Sequence, residues 1–176
     1  MTEKKRTEYN FKESKAFWGV LALFVVLPLI SLISLEETSL SGKAVQSISY
    51  LKAGDKMFLE VNVDGLKDLT LTLISDVKNA KIITEEVKKA SWEFKGTAYS
   101  RFKVSSTDAD KFKDIQITLK IKETDLTKKG LTRNEVKLYL EGKELSTTFS
   151  GKVGSYLFYK ATSQKMGEFV IGKATK

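Results

Sequence analysis

Chemistry in this chain must come from carboxylates, lysines and aromatic rings, because its 176 residues include no cysteine and no histidine. Thiolate nucleophiles, Ser-His-Asp relays, imidazole bases, disulfides and the usual zinc sites are thereby excluded. The densest acidic set is Asp108-x-Asp110 with Asp114 close behind. Hard cations such as calcium take oxygen ligands from loops of this kind. The set lacks the spacing of an EF-hand loop, and Lys111 and Lys113 oppose a cation, so it reads as a solvated turn. Glu36-Glu37 and Glu85-Glu86 are adjacent pairs, which on an extended strand point to opposite faces and do not act together as acid and base. Tyr156, Phe158 and Tyr159 offer ring faces on which a sugar can stack. Alternation places Tyr156 and Phe158 on one side, so the expectation is core packing for those two, with Tyr159 half exposed. No catalytic, cofactor-binding or metal-ligating set is assigned.

The element that positions everything else is residues 16–35, AFWGVLALFVVLPLISLISL, a run of 20 residues without a charge. At 1.5 Å per residue a helix of that length spans a hydrocarbon core of about 30 Å. Pro28 is compatible with a spanning helix, and Phe17 and Trp18 sit where ring side chains favour the headgroup layer. The preceding tail, residues 1–15, holds Lys4, Lys5, Arg6, Lys12 and Lys15, whereas Glu36 and Glu37 follow the run. The bias of basic residues to the cytoplasmic side keeps the tail inside and exports the rest. A cleaved signal peptide is the rival reading. The apolar run exceeds the usual signal core and no A-x-A pattern follows it, so an uncleaved signal-anchor is expected. The lipid bilayer is then a partner through residues 16–35.

Residues 36–44, EETSLSGKA, are small and polar, as a tether would be. The exported part carries 25 basic against 19 acidic residues, a net +6, spread along the chain in no block. That pattern is a solvated surface with a mild basic bias. No clustered basic face is visible for nucleic acid, and an affinity for acidic glycans or anionic lipid is compatible but unspecific.

From Val45 the apolar period is two. KMFLEVNV at 56–63 alternates cleanly, Asp64-Gly65 signals a turn, and LTLTLI at 69–74 returns as its neighbour. Val77, Ala80, Ile82 and Ile83 read as a short strand, and EEVKKASWEF as a helical or looping excursion with Trp92 plugging the core edge. AYSRFKV at 98–104 is a strand, and 105–114 a polar turn capped by Ser106 or Thr107. IQITLKIK at 115–122 has the strongest alternation. After a connection containing Gly130 come VKLYL, ELSTTF, SYLFYKAT and EFVIG. Eight to ten short strands, each with one solvated face, predict a mainly β domain over 45–172, an antiparallel β-sandwich, with a barrel as the alternative.

The order of these patterns resembles the PGF-pre-PGF domain of archaeal surface proteins. IQITLKI, KETDL, NEVKLYL, the L-x-T at Leu145-Ser146-Thr147, the Y-x-x-Y-x-A-T at Tyr156–Thr162 and the closing G-x-F-x-I at Gly167–Ile171 follow that family's order. SDVKNAKI and Ala98-Tyr99 look like its earlier section. The resemblance covers 45–172 and implies an extracytoplasmic β-rich module on the archaeal envelope, with no catalytic residues to carry over. The chain departs from the family in two ways. Tryptophans usual before the L-x-T are replaced by Glu123, Thr124 and Lys143-Glu144, and no Pro-Gly-Phe motif or carboxy-terminal helix follows. Anchoring through the amino terminus is expected instead.

The expected function is therefore a non-catalytic, membrane-anchored cell-surface module with a structural, adhesive or assembly role, meeting envelope proteins or glycans. Two alternatives stay open. One is an accessory subunit of a membrane or filament complex, packing through Pro28, Ser31 and Ser34. The other is a carboxylate-dependent hydrolase of envelope glycans, which would need a cleft holding two carboxyl groups roughly 5–10 Å apart.

Overall fold

Alternation of apolar with polar residues produces eleven strands, one beyond the range expected from the sequence, in a computed structural model that describes residues 42–175. The tail, the spanning run 16–35 and residues 36–41 of the tether lie outside the described residues. So do Glu36-Glu37, Pro28, Ser31 and Ser34. Among the described residues no helix is long and apolar enough to cross a membrane.

The strands are β1 (Lys43–Leu51), β2 (Lys56–Val63), β3 (Gly65–Leu73), β4 (Val77–Glu86), β5 (Gly96–Ser106) and β6 (Phe112–Lys122), then β7 (Lys137–Leu140), β8 (Lys143–Leu145), β9 (Thr147–Val153), β10 (Tyr156–Ser163) and β11 (Gly167–Ala174). They pair antiparallel in two sheets, one ordered β1-β4-β5-β11-β7-β8 and the other β2-β3-β6-β10-β9. The arrangement is sandwich-like. Its first strand starts at Lys43, inside the stretch read as tether, and its last runs two residues past the expected end at 172.

Four hairpins stay within a sheet, and every other connection crosses to the opposite one. The Asp64-Gly65 turn joins β2 to β3 as its residue types predict, with Val63 opposite Leu66. Tyr99 Oη donates to Asp64 Oδ1 at 3.1 Å and Ser100 Oγ to the Asp64 carbonyl at 2.8 Å, tying this turn to β5 of the other sheet.

The structure corrects three local expectations. The connection after Lys122, in which Gly130 suits a helix cap or a turn, holds a short helix, α1 (Glu123–Lys128). It ends where Gly130 adopts φ +70° and the Leu131 N–H reaches the Leu126 carbonyl, a left-handed stop that favours glycine. Leu126 is its single buried residue, enough to pin one turn against β6. ELSTTF is not one strand but breaks at Ser146, where the chain leaves the larger sheet for the smaller. The polar turn at 105–114 does contain one 3-10 turn, Ala109–Lys111, but Asp108 occupies its cap position, and the Ser106 hydroxyl accepts from the Asp108 N–H.

Apolar residues of both sheets meet in one core. Its middle holds Phe102 stacked on Phe169, with centroids 5.0 Å apart, among Leu69, Leu71, Ile82, Ile115, Ile117 and Leu119, all of them buried. Burying such side chains contributes about 1.5–3 kcal/mol each.

The two outer faces differ. Tyr139 and Val170 are cross-strand neighbours on β7 and β11, buried although they lie outside the inter-sheet core. The Val87–Lys95 excursion covers them: it has no helix, and Phe94 packs on Tyr139 at 5.1 Å with Trp92 edge-on to Phe94. Trp92 thus shields the outer surface of the larger sheet and does not plug a core edge. The Ser91 N–H donates to Glu168 Oε2 at 2.6 Å and holds that carboxyl below its usual range. No equivalent segment covers the outer face of the smaller sheet among the described residues.

Candidate functional site

The register of β10 decides where the chemistry lies. Leu157, Tyr159, Ala161 and Ser163 turn inward, and Tyr159 is 1% exposed, donating from its hydroxyl to the Arg133 carbonyl at 2.9 Å. Burial pushes its phenol up to about 12. Tyr156, Phe158, Lys160 and Thr162 face outward. The expectation of Tyr156 and Phe158 in the core with Tyr159 half exposed is reversed. Both parities of YLFYKATS are apolar enough to be buried at the start, but only one is also free of lysine. Lys160 shares the parity of Tyr156 and Phe158, and a lysine is rarely buried without a partner.

Pairing brings a defined set of side chains onto this bare face. Lys122 lies opposite Tyr156, Lys120 opposite Phe158, Thr118 opposite Lys160 and Gln116 opposite Thr162. On the other flank Asp68 meets Thr118, Thr70 meets Gln116, and Phe58, 63% exposed, meets Thr70. A register shift between Leu66 and Asp68 pushes Lys67 out, with its ammonium 5.8 Å from the Phe158 ring centroid. Lys120 sits 4.4 Å above the Tyr156 ring. The face thus carries Lys56, Lys67, Lys120, Lys122 and Lys160 against Glu60 and Asp68. Asp68 is nearly buried and paired to Lys67 at 3.5 Å. Lys120, Lys122 and Lys160 form no ion pair with any described residue.

One end of the face deepens into a groove of about 570 Å³ lined by Glu60, Asn62, Asp64, Lys67, Lys120 and Tyr156. Its floor is the Asp64-Gly65 turn fixed by Tyr99 and Ser100. Tyr99 is held firmly: Lys129 donates to its carbonyl and lies 4.7 Å from its ring, while burial, then Asp64, raises its phenol above the ordinary value. None of the lysines stands out in the sequence. Their signal is parity with exposed aromatics on neighbouring strands, which requires knowing which strands are neighbours.

The structure disperses the acidic candidates. Asp108 pairs with Lys111 at 2.7 Å, and that contact holds its carboxyl low. Asp114 accepts from Gln164 Nε2 at 2.9 Å, and Asp110 lies in the intervening turn. Among the described residues no three carboxylates gather closely enough to hold a metal ion. Glu85 faces Lys43 across the β1–β4 pair.

A second cleft, about 740 Å³, holds Glu135 and Glu144 with Lys137, Lys173 and Tyr139. Nothing in the residue pattern pairs these two glutamates, one closing the 3-10 turn Arg133–Glu135 and the other on β8. Each is neutralised, Glu135 by Lys173 at 2.6 Å and Glu144 by Lys137 at 3.7 Å. Glu135 also accepts from the Thr132 N–H and hydroxyl at 2.9 Å each. The Lys173 ammonium first, then Thr132, lowers its pKa from 4.5 to about 2.

The residues that carry the family resemblance have structural duties. Thr147 of the L-x-T accepts the Leu138 N–H at 2.9 Å and donates to the Leu145 carbonyl at 2.9 Å, stapling the point where the chain changes sheets. Tyr159, Ala161, Phe169 and Ile171 belong to the core. Comparison with protein-family models, with curated proteins and with solved structures finds no match for this chain.

Proposed function

We propose that this chain is a membrane-anchored display module of the archaeal cell surface, resembling the PGF-pre-PGF domain, with an adhesive or assembly role and no catalysis of its own. The observation that carries the reading is the asymmetry of the sandwich. Over β7 and β11 the outer face of the larger sheet is covered by the chain's own Trp92–Phe94 excursion, and the outer face of the smaller sheet presents aromatic rings beside lysines on an antiparallel sheet. Rigid elements hold a recognition surface in place without ordering cost at the moment of contact. Residues 16–35 supply the anchor and 1–15 the cytoplasmic tail.

The second cleft weighs against the hydrolase alternative. A general acid must retain its proton near the working pH, and Glu135 gives its proton up near pH 2. Glu135 lies 2.6 Å from Lys173 and Glu144 3.7 Å from Lys137, so each carboxylate already has a cationic partner.

Protease shielding on intact cells tests the topology, with tags at residues 1 and 176 and intact-mass analysis of the membrane fraction. The expected result is a digested carboxy-terminal tag, a protected amino-terminal tag and full-length mass. Protection of both tags, or a mass lacking the residues before about 44, overturns the anchored-module reading.

A further inference from the structure

We propose that the outer face of the smaller sheet binds an anionic polysaccharide, its carboxylate or sulfate groups meeting Lys120, Lys122 and Lys160 while sugar rings lie against Tyr156 and Phe158. The inference rests on the surface-module reading and names the ligand class for its exposed face.

Four observations converge on this occupant. The lysines outnumber the acids on the face, and although Lys67 is paired with Asp68, Lys120, Lys122 and Lys160 have no anionic partner among the described residues, which leaves their charge open to an outside anion. Each ring has an ammonium beside it, Lys120 at Tyr156 and Lys67 at Phe158, so stacking surface and counter-charge are offered together. Tyr156 and Phe158 are two residues apart on one strand, about 7 Å along the sheet, which suits an extended chain of rings more than a compact ligand. Beyond the rings along the sheet the ground is hydroxyl and amide: Thr70, Gln116, Thr118 and Thr162 present hydrogen-bonding groups that match sugar hydroxyls. A lipid surface would be met by apolar side chains projecting together from one rim. Here the rings are flanked by lysines and hydroxyl side chains, and the exposed apolar neighbours are split between the two edges, Val153 opposite Tyr156 on β9 and Phe58 on β2.

Affinity electrophoresis of the full chain in mild detergent tests the proposal, with polygalacturonate as the acidic probe and dextran as the neutral one. Polygalacturonate is expected to retard the chain and dextran to leave it unmoved. Y156A/F158A and K120Q/K122Q are each expected to weaken the retardation roughly tenfold, equivalent to about 1.4 kcal/mol. K120R/K122R should preserve it, since charge is kept. Lys120, Lys122 and Tyr156 are exposed and Phe158 is half-buried, and an unchanged thermal midpoint separates lost binding from lost folding.

Failure of polygalacturonate to retard the chain, or equal retardation by dextran, overturns the proposal. So does retardation that Y156A/F158A leaves intact, which would mark diffuse charge attraction only. Stronger binding of oligo-dT, or of soluble dihexanoyl phosphatidylserine measured by calorimetry, would reassign the face to nucleic acid or lipid. A digested carboxy-terminal tag together with no polygalacturonate binding removes this ligand but leaves the surface-module reading. A protected tag removes that reading whatever the chain binds.

Discussion

Tyr156 and Tyr159 are the same residue type three positions apart, yet one is 36% exposed and the other 1%. Tyr159→Ala removes a buried ring and its hydrogen bond to Arg133, and should cost about 3–5 kcal/mol in urea unfolding. Tyr156→Ala should stay within about 0.5 kcal/mol of the parent. Equal costs would mean that the register of β10 is wrong.

Glu135 supplies a second test at this scale. Its folded pKa, about 2, lies below the unfolded 4.5, so its contribution is complete above pH 4.5 and is lost as pH falls toward 2. The difference in thermal midpoint between parent and Glu135→Gln is expected to shrink steadily between pH 5 and pH 2.5, a window set by those two values. A difference independent of pH would show that the Lys173 contact does not hold in solution.

At the scale of elements, strands that alternate strictly and turns with diagnostic residues could be read from the chain. The β2–β3 hairpin is the example. Met57, Leu59, Val61 and Val63 point one way and Asp64-Gly65 closes the turn, with Gly65 at φ +80° where a side chain would be strained. The helix α1 could not be read, because six residues with one buried leucine carry no period of their own and are held by what they pack on. The crossing at Ser146 was equally hidden: ELSTTF alternates acceptably as one strand, and only the separation of two sheets breaks it.

Thr147 is the residue that makes that crossing hold. Thr147→Val keeps the shape but leaves the Leu138 N–H without an acceptor, which should destabilise the fold by about 1–3 kcal/mol, while Thr147→Ser should recover most of the loss. Equal stability of the valine and serine variants would remove the staple from the account of this corner.

For the molecule as a whole, repeated crossing between sheets makes most contacts distant in sequence. Sandwiches of this sort fold in roughly milliseconds to seconds. The chain's one proline is Pro28, which precedes the sandwich, so refolding should show no slow phase that a prolyl isomerase accelerates. Stopped-flow refolding with and without the isomerase checks this. An accelerated phase would tie the region around Pro28 to the folding of the sandwich.

The sequence by itself determined the classes of chemistry open to this protein, the β character of residues 45–172 and the places of its clearest turns. These follow from residue type and from the two-residue period, both local properties of the chain. Tertiary structure alone decided which parity of β10 faces the core, which strands lie side by side and which outer face stays bare. Parity is settled only when a strand meets a second apolar layer, and charges from β3, β6 and β10 become one surface only when pairing sets them in register. Tyr156, Phe158 and their lysines therefore form a face that no single segment contains.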